Sequence, residues 1–394
     1  MLEKLALHKD NLGNQLYMFC FSLYLIVNFM AGTTLSRALG LGAIVVLLRL
    51  SQLAALLVFC KIIFFDHHKF NTILAILVGA CFLFIVCKQA HELDPFFMYL
   101  FIIGAYGIDF KQILNKYILV VLSLLLLVYA AAVLGLVPNN IMWREGAGVI
   151  RAGLGLATPS DLAAHVFYLM LAFALIRDFI FSRQEIGFMV LIAVLIFAVT
   201  NSRLDAVLML LLFLVMYFRR TVFKAIKFIG VKGASALVAL YSFGNLLLTY
   251  FFDPYNPFYA QLDTLLSRRL LFGKMAFEKY PIHLFGQYIY QNGNGDPRGF
   301  VVYYFIDSAY VQALMMFGVV FLLFMLGLLV YLLYRAFKKQ YYGLAIAVLL
   351  IALSMAVNHH FWHISYNVFL LATLANLAII NTDGGNNKYG SEAK

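Results

Sequence analysis

The sequence predicts an all-α polytopic integral membrane protein, and three observations carry that prediction. Of 394 residues, 64% are hydrophobic and 12% are charged, where soluble domains run at roughly 45–50% and about 25%. Uncharged runs of about 20 residues, long enough to cross the hydrocarbon core as helices, recur along the whole chain between short breaks of charge, Pro or Gly. Backbone groups in lipid must be satisfied internally, which leaves helices or a closed barrel, and these Leu-rich runs lack the two-residue alternation of a barrel.

Taken in order, the punctuation places about twelve spans, near residues 15–35, 39–60, 70–88, 95–108, 117–137, 160–176, 185–201, 203–218, 229–251, 305–333, 341–357 and 365–380. The first run, Gln15 to Thr34, exceeds the roughly 7–15 residue core of a secretory signal and is followed by further spans, so it is predicted as the first membrane helix. Basic residues gather in alternate connections: Lys4 and Lys9, Lys61 and Lys69, Lys111 and Lys116, Arg177 and Arg183, Arg219 to Lys232, Arg335 to Lys339, then Lys388 and Lys394. The positive-inside rule makes these cytoplasmic, with both termini inside. Topology thereby accounts for the formal charge of +11, and no nucleic-acid partner is required. The chain, 1–394, reads as a single transmembrane domain with two longer external loops. One covers 138–159; the other, 252–305, is aromatic-rich and patterned, and is predicted to fold as a cap. Cys20, Cys60, Cys81 and Cys87 fall in or beside apolar runs and read as small core residues, not disulfides or metal ligands.

The informative charges are those that topology does not call for: Arg151, Arg203, Arg268, Arg269, Lys274, Lys279 and Arg298 on the outer side, and Arg49 within the second span. Arg203 sits in Thr200-Asn201-Ser202-Arg203-Leu204-Asp205, where Asn201 or Ser202 would cap the next helix. Two readings stand: an arginine snorkelling outward and pairing with Asp205, or a fixed cation where a lipid phosphate lies. Gln261 to Tyr280 has the period of an amphipathic helix, with Leu262, Leu265, Leu266, Leu270, Ala276 and Phe277 on one face. Arg269 projects from that face and Arg268 from about 100° round it. A buried charge needs a partner or a ligand, which favours Arg269. Asp307, at the mouth of the tenth span, is either a helix cap or a general base. Arg49 is expected to face the bundle interior, binding a phosphate or locking helices. His359, His360 and His363 resemble a metal site, but the Glu of the zinc-protease pattern is missing and Phe361 and Trp362 suit an interfacial belt, so no metal is predicted. Asp66-His67-His68-Lys69 reads as a solvated loop.

Four stretches resemble the Wzy-type polysaccharide polymerases and the related O-antigen ligases of bacterial envelopes. Arg151-Ala-Gly-Leu-Gly-Leu-Ala-Thr-Pro159-Ser-Asp is similar to the family's arginine-glycine turn followed by Pro-Asn, with Ser160 for Asn. Asn201-Ser202-Arg203 is similar to its Thr/Ser-Arg turn, and Ser267-Arg268-Arg269 with Pro281 and Gly286 to its Ser-Gly-Arg segment and Pro-Leu-x-Gly-type turn. Asp307-Ser308, nine residues and Gly318 resemble the ligase His-(Asn/Ser/Gln)-x9-Gly pattern with Asp for His, a departure that favours polymerase over ligase.

The resemblance implies a GT-C-like, metal-independent glycosyltransferase of the bacterial plasma membrane, needing no cofactor. It would join oligosaccharide repeat units carried on polyprenyl diphosphate at the outer face, inverting the anomeric carbon. Arg203 and Arg269 would hold the diphosphate with Asp307 as base, although His283 or another group remains open for the proton. Arg151, Arg268, Arg298 and Arg49 would assist binding, and Tyr304 and other loop aromatics would stack on sugars. Membrane lipid surrounds such an enzyme, and a flippase and a chain-length regulator are the expected partners. The competing readings are an O-antigen ligase and a transporter of lipid-linked oligosaccharide. Transporters tend to show internal repeats and broken, polar helices near the midplane, whereas the unusual polar groups here cluster on one face and in one loop, which disfavours the second.

Overall fold

A computed structural model of the protein describes residues 2–144, 148–293 and 303–377. Arg298 and the end of the last predicted span lie outside them. The described chain is helical apart from one β-hairpin. The first half runs α1 (Leu2–Ala31), α2 (Thr34–Ala38), α3 (Gly40–Phe64), α4 (Phe70–Ala90), α5 (Asp94–Gly104) and α6 (Phe110–Val133), then the hairpin of β1 (Ile141–Arg144) and β2 (Val149–Ala152). There follow α7 (Pro159–Ile176), α8 (Arg183–Thr200), α9 (Arg203–Tyr217), α10 (Arg219–Tyr250), α11 (Pro257–Leu265), α12 (Arg269–Lys279), α13 (Ala309–Met315), α14 (Val319–Lys338) and α15 (Tyr342–Ser354). Among the described residues, seven helices are long and apolar enough to cross a membrane, or eight if α9 and α10, bent by 95°, form one span. The chain is a polytopic membrane protein.

Helix ends follow local chemistry. Thr158 with Asp161, and Ser182 with Glu185, close reciprocal capping boxes at the starts of α7 and α8, each satisfying two backbone donors that a helix start leaves free. The centre is α7, with 67% of its span buried against 11% for α8, which lies at the lipid-facing rim. Buried tyrosines tie the centre together: Tyr117 donates to Tyr366 O (2.8 Å), Tyr341 to Leu175 O (3.0 Å) and Tyr310 to Ala352 O (2.8 Å).

Four predicted elements are broken. The 229–251 span belongs to α10, which kinks where Gly230 takes φ 69 and ψ 179, a conformation open mainly to glycine. The 305–333 span splits into α13 and α14 at Gly318, where φ is +94 and a Cβ would lie 2.6 Å from Leu284 O. The 365–380 span is represented by a 3-10 turn, Val368–Thr373. Arg335 donates to its carbonyls at Ala372 (2.6 Å), Thr373 (2.6 Å) and Ala375 (3.1 Å). The amphipathic stretch 261–280 is two helices, α11 and α12, because Ser267 and Arg268 take φ of 57 and 63.

Two charge assignments also change. Arg49 does not face the bundle interior: it is exposed on α3 and donates to Gln52 Oε1 (2.9 Å), a partner one turn away on the same helix. In the loop expected to be solvated, His67 and Lys69 are exposed but the side chains of Asp66 and His68 are buried. Lys61 and Asp66 pair at 2.6 Å with side chains 2% and 8% exposed, and Lys61 also donates to Gly104 O (2.8 Å) and Tyr106 O (3.1 Å) at the end of α5. Removing one partner of a buried pair strands the other charge, at about 3–5 kcal/mol. Lys61→Met is therefore expected to lower the unfolding midpoint of the detergent-solubilised protein by that order, and Lys61→Met with Asp66→Leu to recover most of it. Equal midpoints for the parent and single variant would refute the pairing.

Candidate functional site

At the end of the bundle opposite Lys61, the β-hairpin, the α8–α9 turn, the α11–α12 break and the segments before α13 and after α15 converge. Each supplies a polar group by a distinct local device. In the hairpin, Met142 pairs with Arg151, so their side chains share a face, and both line the same cavity. Arg151 Nε donates to Thr200 O (2.7 Å), one of the carbonyls a helix C-terminus leaves without an internal partner. Burial and the neighbouring Arg269 pull Arg151 below its ordinary pKa, with Asp205, Tyr303 and Asp307 opposing.

Asn201 ends α8 in the left-handed conformation, φ 46, and the chain reverses at once into α9, which sets Arg203 at the cavity wall. Asp205, predicted as its partner, turns inward instead. It is 1% exposed and accepts from Ser202 Oγ (2.5 Å) and Asn358 Nδ2 (2.8 Å). Arg203 is thus left on the cavity side.

The break before α12 is held by Asp263, whose Oδ1 accepts from Leu270 N (2.9 Å) and Leu271 N (3.1 Å). The carboxylate serves as an anionic cap for a helix that lacks a side-chain cap of its own. It starts α12 at Arg269 and turns that side chain inward. Arg269 Nε donates to Val357 O (2.6 Å), Nη1 to Leu266 O (3.2 Å), and Nε lies 3.9 Å from Asp307 Oδ2. Those bonds use part of the five-donor fork of a guanidinium and leave the rest for a ligand. Asp307 is not the cap of α13, a position held by Ser308. Burial raises its carboxyl above the ordinary carboxylate value, while Arg269 and Arg151 pull it back.

Arg151, Arg203, Arg268, Arg269 and Asp307 all line one cavity of about 1030 Å³. Three other predicted residues are not brought there. Arg49 is on the outer face of α3. His283 has an exposed side chain, and its carbonyl accepts from Val319 N (3.0 Å), pinning the chain to the start of α14. Tyr304 is buried beneath Lys279, whose Nζ is 5.2 Å from its ring centre; the strand-like alternation puts its neighbour Tyr303 on the cavity instead. The expected cap over 252–305 contains α11 and α12, and the 138–159 loop is the hairpin.

The rest of the wall comes from Asn358 and Trp143, which sequence reasoning passed over, and from residues it did not place in this site: His359 and His360, weighed only as a metal cluster, and Ser160 and Asp161, named only in the family-like turn. The capping-box spacing of Thr158 and Asp161 was the one local signal among them; nothing in the sequence relates 358–360 to the rest. A smaller apolar cavity of about 340 Å³ lies alongside, lined by Leu240, Gly244 and Leu248 of α10 and by Arg269, which borders both spaces. Compared with protein-family models, curated proteins and solved structures, the chain matches none.

Because Asp263 positions α12 and with it Arg269, Asp263→Ala is expected to cost about 1 kcal/mol, the usual value of a lost cap, seen as a lower unfolding midpoint. Asp263→Asn, which keeps an acceptor, should retain most of the parent midpoint; equal losses in the two variants would refute the capping role.

Proposed function

We propose that the protein is a polysaccharide polymerase. It joins polyprenyl-diphosphate-linked oligosaccharide repeat units at the outer face of the bacterial plasma membrane. The observation that carries this reading is the meeting of Arg151, Arg203, Arg268 and Arg269 with Asp307 around one cavity, from stretches far apart in the chain. Guanidinium groups remain charged and bind phosphate oxygens bidentately, so this wall suits a diphosphate. The apolar cavity on the other side of Arg269 suits the first isoprene units of its lipid. In this reading α5, α15 and the Val368–Thr373 segment complete passages that length alone does not establish. With α9 and α10 taken as two separate passages beside the seven long helices, that gives twelve spans in a GT-C-like arrangement with both termini cytoplasmic.

The chemistry follows from those groups. An acceptor sugar hydroxyl attacks the anomeric carbon of the donor chain as the bond from that carbon to the diphosphate oxygen breaks. Asp307 accepts the hydroxyl proton. The departing diphosphate takes the electron pair, and the arginines stabilise its developing charge. One displacement inverts the anomeric centre. The raised proton affinity that burial gives Asp307 makes it a better base than an exposed carboxylate, and Arg269 at 3.9 Å opposes that rise and favours the ionised form that a base needs.

Purified protein incubated with lipid-linked repeat units is expected to produce ladders of longer glycans. Arg203→Ala and Arg269→Ala should each slow the ladder at least about tenfold, as loss of a charge-assisted hydrogen bond of about 1.5–3 kcal/mol implies. Folded variants that polymerise at the parent rate would end the assignment. The pH profile supplies a second check. A base works deprotonated, so the rate should rise with pH through an apparent pKa above the ordinary carboxylate value of about 4 and then level. Asp307→Asn should abolish that limb with the activity; a limb at or below the ordinary value would exclude Asp307 as the base.

A further inference from the structure

We infer that His359, His360 and His363 form a binding site for one divalent transition-metal ion of the zinc class, set in the wall of the cavity. One ring nitrogen from each of the three lies within 4.8 Å of the others, and His359 and His360 line the cavity. Imidazole nitrogens suit zinc, cobalt and nickel and not magnesium or calcium.

What lifts the cluster above a chance grouping is the set of carboxylates behind it. Asp94 Oδ2 lies 2.6 Å from His363 Nδ1, and Asp161 Oδ1 lies 3.5 Å from His360 Nε2. Each carboxylate engages one nitrogen of its ring; in the neutral ring that nitrogen carries the hydrogen, which leaves the other, His363 Nε2 or His360 Nδ1, as the metal ligand. Carboxylate–histidine–metal relays are built this way, the outer oxygen fixing both the tautomer and the ring angle. His360 is 4% exposed, and its Nδ1 is buried without a hydrogen-bond partner among the described residues. A buried acceptor left in that state costs free energy, and a metal ion removes the cost.

Both carboxylates stand on rigid supports. Asp94 begins α5, and Asp161 is fixed in the capping box of α7. Stacking of His360 on Tyr366, centroids 3.8 Å apart, holds the ring plane. Tetrahedral zinc with bonds of about 2.0–2.1 Å needs ligand nitrogens about 3.3 Å apart, so from a spacing within 4.8 Å binding draws the rings together by up to about 1.5 Å, a change for side-chain torsions. Three histidines leave a fourth position for a water or a substrate oxygen, and His359 and His360 set the site in the wall of the cavity that the arginines line.

This inference does not rest on glycosyl transfer, and its test reads metal binding, so either proposal can fail while the other stands. Full-length protein carrying a histidine-free affinity tag would be stripped with chelator and titrated calorimetrically with ZnCl2, with MgCl2 as control. The expected result is about one equivalent of zinc bound with micromolar or tighter affinity and no saturable magnesium binding. CoCl2 should give the visible absorption of a four-coordinate ion. His359→Gln, His360→Gln and His363→Gln should each weaken zinc at least tenfold. Asp94→Asn, which keeps all three ligands, should weaken it about 10–100-fold. Variants are compared only where the chelated proteins unfold at similar temperatures, and the parent titration is decisive by itself. The inference is overturned if parent protein shows no saturable zinc binding, or if the folded histidine variants bind zinc as the parent does.

Discussion

Cations that satisfy helix-end carbonyls are the interaction on which this structure depends. The last carbonyls of a helix have no internal partner, and at a membrane boundary little water is present to replace one. Here Lys61 reaches Gly104 O at the end of α5 (2.8 Å), Arg151 reaches Thr200 O at the end of α8 (2.7 Å) and Lys274 reaches Tyr250 O at the end of α10 (2.8 Å). Arg269 reaches Leu266 O beyond α11 (3.2 Å), and Arg335 binds three carbonyls around the 3-10 turn. Each cation near a helix C-terminus also meets the negative end of the dipole, worth about 0.3–1 kcal/mol at exposed sites and up to about 2 where partly buried. The same bonds solve both halves of a problem, since they pair the charge and saturate the backbone.

The device also explains how a concentration of positive charge is tolerated beside an apolar bundle. Arg151 and Arg269 are anchored through part of their donors and held near two acids, Asp205 and Asp307. Anchoring removes the rotamer freedom that a long side chain would otherwise lose on meeting an anion. A wall of this kind is pre-organised for phosphate oxygens before any ligand arrives. The broken helices serve the same end. The left-handed residues Asn201, Ser267 and Arg268 and the glycine at 318 stop helices at the bundle's edge, where side chains and carbonyls can meet.

Several of these features were legible one residue at a time. Arg269 was singled out because it interrupts an apolar face, and it does turn inward, although the continuous helix behind that argument is two helices. The period did not survive whole, since Leu265 is exposed and Asp263 buried; Arg269 turns inward because Asp263 caps α12 at that point. Arg49 misled for a related reason. A charge inside an apolar run is read as interior on the premise that lipid repels it, but Gln52 one turn away gives it a local partner that a periodicity argument does not weigh. Tyr304 and Tyr303 are chemically equivalent in the sequence, and only the path of the chain into α13 decides which one meets the cavity.

The sequence by itself determined that this is a helical membrane protein, because hydropathy is additive along the chain and the bilayer admits few structures. It also carries the start of a helix where a capping box marks the place, as at Thr158 and Ser182. Only the tertiary structure decided which charges share a space. Asp94, Asp161 and the histidines at 359, 360 and 363 are brought together by packing of α5 and α7 against the turn after α15. The same holds for Arg151 with Arg269 and Asp307. Local spacing carries no information about such meetings, because they are set by the summed packing of apolar side chains that do not themselves take part.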